Sequence, residues 1–164
     1  LEQNSRDAVI YAVGIYTGLR ISDILNLRVR DVRAKENITL YERKTGKGKF
    51  IPINRFLKKV LNQFIDGRRD YEYLFLSPKP PNRPISRQQV YNILSKAAEH
   101  FGIEERIGTH TLRKTFGYHY YLKTHDVGTL MKLYNHSSET VTLCYIGITD
   151  DTLASVYKDV DLLG

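Results

Sequence analysis

Cysteine and methionine are scarce in this chain, with one of each, and several familiar sequence patterns are missing. With Cys144 as its sole cysteine the chain cannot close an internal disulfide, so a disulfide-stapled scaffold is excluded and a reducing compartment fits. No apolar run approaches the length of a membrane-spanning helix, and no signal-peptide pattern is visible. Met131 is the only methionine, so the chain does not open on an initiator residue; we expect it to be excised from a longer protein. A glycine-rich nucleotide loop is missing too, because Gly46-Lys47-Gly48 is too short to cradle phosphates and reads as a hairpin tip. The five histidines (His100, His110, His119, His125 and His136) form no convincing ligand set with Cys144 or nearby acids, so no metal or other cofactor is expected.

What is present is an ordinary globular composition carrying an uneven charge. Hydrophobic residues make up 41% and charged residues 26% of 164, enough for one domain with a proper core. Lys and Arg number 25 against 18 Asp and Glu, a net charge of +7 that favours a polyanionic partner. Between Arg43 and Lys59 lie seven basic residues (Arg43, Lys44, Lys47, Lys49, Arg55, Lys58, Lys59) and no acid. From Thr124 to Gly164 there are six acids against two bases. This split predicts one cationic face and a separate acidic tail.

Hydrophobic spacing predicts a mainly α fold with a small antiparallel sheet. Asp7 to Gly18 reads as a helix with Val9, Val13 and Tyr16 on its inner stripe and Ser5 as its cap. A short helix follows over Ile21 to Leu27, with Ile21, Ile24, Leu25 and then Val29 facing inward. Asn37 to Glu42 and Lys49 to Ile53 flank Thr45-Gly46-Lys47-Gly48 as a basic β-hairpin. Arg55 to Phe64 is helical by spacing, with Phe56, Val60, Leu61 and Phe64 inward. Pro78, Pro80, Pro81 and Pro84 mark an exposed loop. Ser86 and Gln89 make a capping box for a helix running to Phe101, whose buried face is Val90, Ile93, Leu94, Ala97 and Phe101. A further helix starts near Thr109 or His110 and carries Leu112, Phe116 and Tyr120; shorter ones are expected over Val127 to Leu133, Glu139 to Tyr145 and Thr152 to Tyr157.

Several chemistry-bearing residues stand out against this frame. His110 and Arg113 are three apart, so at a helix's first turn both can face one group, and the free amides there attract an anion. Arg20 ends the run Thr17-Gly18-Leu19-Arg20, with Asp23 three residues on. His136 precedes Tyr145 by nine residues. Each motif alone has a plainer reading: Arg113 paired with a carboxylate and His110 as a cap, Arg20–Asp23 as a surface ion pair worth under ~1 kcal/mol, Tyr145 packed in the core with Val141 and Cys144. Together, two arginines, two histidines, a lysine and a hydroxyl nucleophile suit attack on a phosphodiester without a metal.

In order and separation these residues resemble the catalytic set of the tyrosine recombinases, the phage-integrase family. The resemblance spans nearly all of residues 1–164 as a catalytic domain, without the N-terminal helical DNA-clamping domain such recombinases usually carry. It implies that Tyr145 attacks the scissile phosphorus, holds the 3′-phosphate and frees a 5′-hydroxyl. It further implies Arg20 and Arg113 on the phosphate oxygens, His136 donating a hydrogen bond, Asp23 bracing Arg20, and a phenol activated either by nearby cations that lower its pKa or by His110 accepting its proton. Lys44 matches the family's hairpin lysine that protonates the leaving oxygen, while Lys47 and Lys49 are close enough to compete; Arg43, Lys47 and Lys49 are expected on DNA. Where the family commonly has glycine before His136 this chain has Asn135, which tolerates the same left-handed backbone. The implied partners are duplex DNA and three further copies in a tetramer, with the tail packing in cis or on a neighbour. The implied setting is cytoplasmic and nucleoid-associated, and the parent a mobile-element, phage or chromosome-resolving protein. Two rival functions remain: a type IB topoisomerase-like nicking and resealing enzyme, and a non-catalytic DNA-binding regulator.

Overall fold

The computed structural model describes residues 6–41, 48–105 and 107–148. Arg43, Lys44 and Lys47, together with Ser5 and the Thr152 to Tyr157 segment, lie outside the described residues. Helices α1 (Arg6–Thr17) and α2 (Ile21–Asn26) come first, followed by a single 3-10 turn at Val29–Asp31. Strands β1 (Asn37–Tyr41) and β2 (Gly48–Pro52) pair antiparallel, with Ile38 opposite Ile51 and Leu40 opposite Lys49. Helices α3 (Arg55–Phe64), α4 (Arg87–His100), α5 (Thr111–Thr124), α6 (Val127–Tyr134) and α7 (Glu139–Ile146) complete the order. The expected class, mainly α with a small antiparallel sheet, is the one observed.

The chain forms two compact units, one running up to Arg113 and the other beginning at Lys114. The core of the first gathers Val9, Ile10 and Val13 of α1, Ile21, Ile24 and Leu25 of α2, Ile38 and Ile51 of the hairpin, Leu57 and Leu61 of α3, and Val90 and Leu94 of α4. The segment leading into the proline loop is pinned from two sides. The Leu74 amide donates to the Leu27 carbonyl at 2.8 Å, and Arg68 donates to the carbonyls of Tyr73 and Leu74 at 2.7 and 2.8 Å. The loop beyond it, 78–83, is exposed, as its prolines require. The second unit is smaller, with Leu130, Tyr134, Ile146 and Ile148 at its centre.

Four predicted core positions are corrected, on three helices. Tyr16 is exposed and meets Phe56, which is more exposed still, ring centroids 5.2 Å apart. On α3 the inward residue is Leu57, one position on, with Leu61 as expected; Phe56 faces solvent. On α4 Ala98 is buried in place of Ala97, and Phe101 is exposed because the helix ends before it, with Gly102 in a left-handed conformation. Spacing fixed the stripe in each case but missed its phase by one residue at the ends.

Candidate active site

Arg20, Asp23, His110 and Arg113 belong to the first unit, and His136 and Tyr145 to the second. In the first, α1 closes on a left-handed Gly18 (φ 61), whose amide still donates to the Gly14 carbonyl at 3.0 Å. The Thr17 hydroxyl donates to the Val13 carbonyl at 2.6 Å and accepts from the Leu19 amide at 3.3 Å. Leu19 is buried, so the chain leaves the turn in one direction and delivers Arg20 to the N-cap of α2, extended and exposed. Among the described residues Arg20 and Asp23 form no ion pair. What joins them is backbone: the Asp23 amide donates to the Arg20 carbonyl at 2.9 Å.

His110 lies one residue before α5, exposed, in a turn closed by the Thr111 hydroxyl accepting from the Gly108 amide at 2.9 Å. Arg113 is 5% exposed, and its Nη1 donates to the carbonyl of Gly18. The two arginine motifs are thus joined through the turn that precedes Arg20. Leu112, beside Arg113, packs so closely on α1 that a Cβ added at Gly14 would lie 2.5 Å from its Cδ1. Gly14 is there because α1 and the start of α5 touch.

In the second unit, Asp126 caps α6, accepting from the Thr129 amide at 2.9 Å and hydroxyl at 2.6 Å. These bonds hold its carboxyl below the usual range. At the other end Asn135 is left-handed (φ 60, ψ 47), as expected for the residue standing in glycine's place, and the His136 amide donates to the Met131 carbonyl at 2.9 Å. That closing turn delivers His136. Its Nδ1 lies 3.1 Å from the hydroxyl of buried Thr142, which donates to the Ser138 carbonyl at 3.0 Å.

Tyr145 sits on α7, whose N-cap Ser138 accepts from the Val141 amide and which Gly147 ends in a left-handed conformation. The ring is half-buried, edge-on to Tyr134 and to His136, each centroid 5.1 Å away. Lys114 places its ammonium 5.5 Å from the Tyr145 ring centroid. Tyr134 is itself buried and runs so close to α5 that no Cβ fits at Gly117. Lys49 is half-buried on β2.

Sequence reasoning passes over Thr142, Lys114 and Tyr134. Thr142 is one turn after Ser138 and three residues before Tyr145, but threonine bonding back along a helix is too common to single out. Among the described residues no three His, Cys, Asp or Glu side chains gather as metal ligands, and no helix is long and apolar enough to cross a membrane.

The sequence profile of the phage integrase family matches residues 2–151. Over 158 residues the chain is 47% identical to a probable integrase/recombinase, YoeC, of Bacillus subtilis strain 168, covering 96% of this chain and 86% of that one. It is 30% identical over 159 residues to the tyrosine recombinase XerD of Corynebacterium glutamicum, covering 93% of this chain and 52% of the relative. Among solved structures, XerA recombinase superposes with a TM-score of 0.72 at 22% identity, covering 94% of this chain and 56% of that one. XerH site-specific recombinase bound to its difH substrate gives 0.65 at 20%, covering 93% and 45%. At these identities the structural likeness establishes the fold. The chain spans about half the length of the Xer proteins it matches.

Proposed function

We propose that this chain, which belongs to the phage integrase family of tyrosine recombinases, is the strand-cleaving and strand-rejoining part of a site-specific DNA recombinase. Tyr145 attacks the scissile phosphorus, the bond to the 5′-oxygen breaks, and a 3′-phosphotyrosine forms. A phenol with pKa near 10 is only about 0.1% ionised at neutral pH, so His110 accepts its proton as attack proceeds. Arg20 and Arg113 balance the charge that builds on the non-bridging oxygens, and His136 adds a further contact. A lysine of the hairpin, Lys44 in preference to Lys47, protonates the leaving 5′-oxygen, while Arg43, Lys47 and Lys49 add phosphate contacts. Because the phosphodiester energy is kept in the tyrosyl ester, a 5′-hydroxyl from a second DNA reseals the strand without ATP. Duplex DNA is the substrate and a tetramer on paired sites is the working assembly.

The observation that carries this reading is the setting of Tyr145: half-buried, edge-on to His136 and under the Lys114 ammonium. An adjacent cation gives any tyrosine ring a modest cation–π stabilisation; for a nucleophile that must lose its proton, a cation and an imidazole beside it also favour the attacking phenolate. Joining of two separate DNA duplexes by the full-length protein tests the reading. Recombinant junctions are expected. Relaxation of supercoils with no junctions at any protein concentration would place it with the nicking and resealing enzymes.

A further inference from the structure

We propose that Thr142 fixes the tautomer of His136, so that the neutral ring carries its proton on Nδ1 and leaves Nε2 as a bare acceptor. The inference deepens the recombinase reading, and only its catalytic consequence rests on that reading. A threonine hydroxyl has one proton to give. The Ser138 carbonyl has none, so its 3.0 Å contact with Thr142 requires the hydroxyl as donor. With the hydroxyl proton assigned to that bond, the 3.1 Å contact between the same oxygen and His136 Nδ1 runs the other way, with Nδ1–H donating to an oxygen lone pair. Thr142 is fully buried, and its two partners, His136 and Ser138, are half-buried.

The ring around this bond is well bounded. The backbone of His136 is tied to Met131, and its ring is flanked by Tyr134 at 5.4 Å and Tyr145 at 5.1 Å between centroids. A neutral His136 held this way can take a proton at Nε2 but cannot give one there. To donate a hydrogen bond to a phosphate oxygen it must be doubly protonated, and it then brings a full positive charge rather than a dipole. Thr142 is therefore a positioning residue that acts through His136. It converts the histidine of this motif from a neutral donor into a group that binds phosphate as imidazolium.

Long-range proton–nitrogen correlation spectra of the DNA-free protein, labelled with 15N-histidine, read the tautomer directly, with His136 assigned by its loss in His136→Gln. Above the titration range of the ring, the proton is expected on Nδ1 in the wild type and in Thr142→Ser. In Thr142→Val, which keeps the shape but removes the acceptor, the dominant form is expected to shift to Nε2–H. A wild-type ring protonated on Nε2, or an unchanged Nδ1–H ring in Thr142→Val, overturns the proposal. Should the valine variant fail to fold, the wild-type and serine spectra decide by themselves. Since no DNA is present, the outcome is independent of whether Tyr145 cuts it.

Discussion

The Arg113 guanidinium donates to the main-chain carbonyl of Gly18, two residues before Arg20. One arginine is buried and tethered; the other is exposed at the start of a helix. The tether explains why a left-handed glycine precedes Arg20: the turn at Gly18 presents a carbonyl to Arg113 while sending the next side chains on to α2. A guanidinium has its five donors in a rigid fork, so the bond to Gly18 fixes the orientation of the whole group.

Arg113→Lys is accordingly expected to slow single-turnover cleavage by the full-length protein by on the order of 10²-fold or more, because an ammonium cannot hold the Gly18 carbonyl and grip two phosphate oxygens at once. Circular dichroism and thermal melting alongside separate this from unfolding. Cleavage within a few-fold of wild type would mean that the fork is not used.

Gly14→Ala places two effects of opposite sign in competition. Replacing glycine inside a helix gains about 1 kcal/mol. The added methyl, however, meets Leu112 at 2.5 Å from Cδ1 and 2.7 Å from Cβ, and Cβ cannot swing away. Overpacking of this kind costs about 1–3 kcal/mol, so net destabilisation is expected, read as a lower urea midpoint at unchanged slope. A raised midpoint would show that α1 and α5 separate more easily than their contact suggests.

Lys114→Gln removes the cation above the Tyr145 ring while keeping a polar side chain only one atom shorter. A cation–π contact at an exposed site is worth about 0.5–1 kcal/mol, which corresponds to a two- to five-fold slower cleavage if the same charge favours the phenolate. Rates on a nicked substrate measure it. A variant as fast as wild type would reduce Lys114 to a packing neighbour.

Much of this arrangement was legible in the sequence, for reasons that can be named. The capping box is local chemistry, and Ser86 and Gln89 exchange both hydrogen bonds, at 3.1 and 2.8 Å. Asn135 is local too, since the left-handed turn depends on one residue's backbone. The exposed proline loop follows from missing donors. What failed needed knowledge of neighbours: Phe56 and Leu57 are adjacent and both apolar, and only the packing of α3 decides that Leu57 is inside. The same holds at the site. Arg20, Arg113, His136 and Tyr145 are recognisable by order and spacing, whereas the Gly18 carbonyl and the Thr142 hydroxyl act through contacts that spacing does not encode. The expected Arg20–Asp23 charge contact is a backbone turn instead.

The central claim, that Tyr145 is the nucleophile, is tested most directly by trapping the full-length protein on a nicked suicide duplex, digesting the complex, and identifying the DNA-linked peptide by mass. The peptide containing Tyr145 is expected to carry a 3′-phosphoryl nucleotide, and Tyr145→Phe to yield no covalent complex. A nucleotide found on any other residue, or an adduct that persists in Tyr145→Phe, would contradict the account.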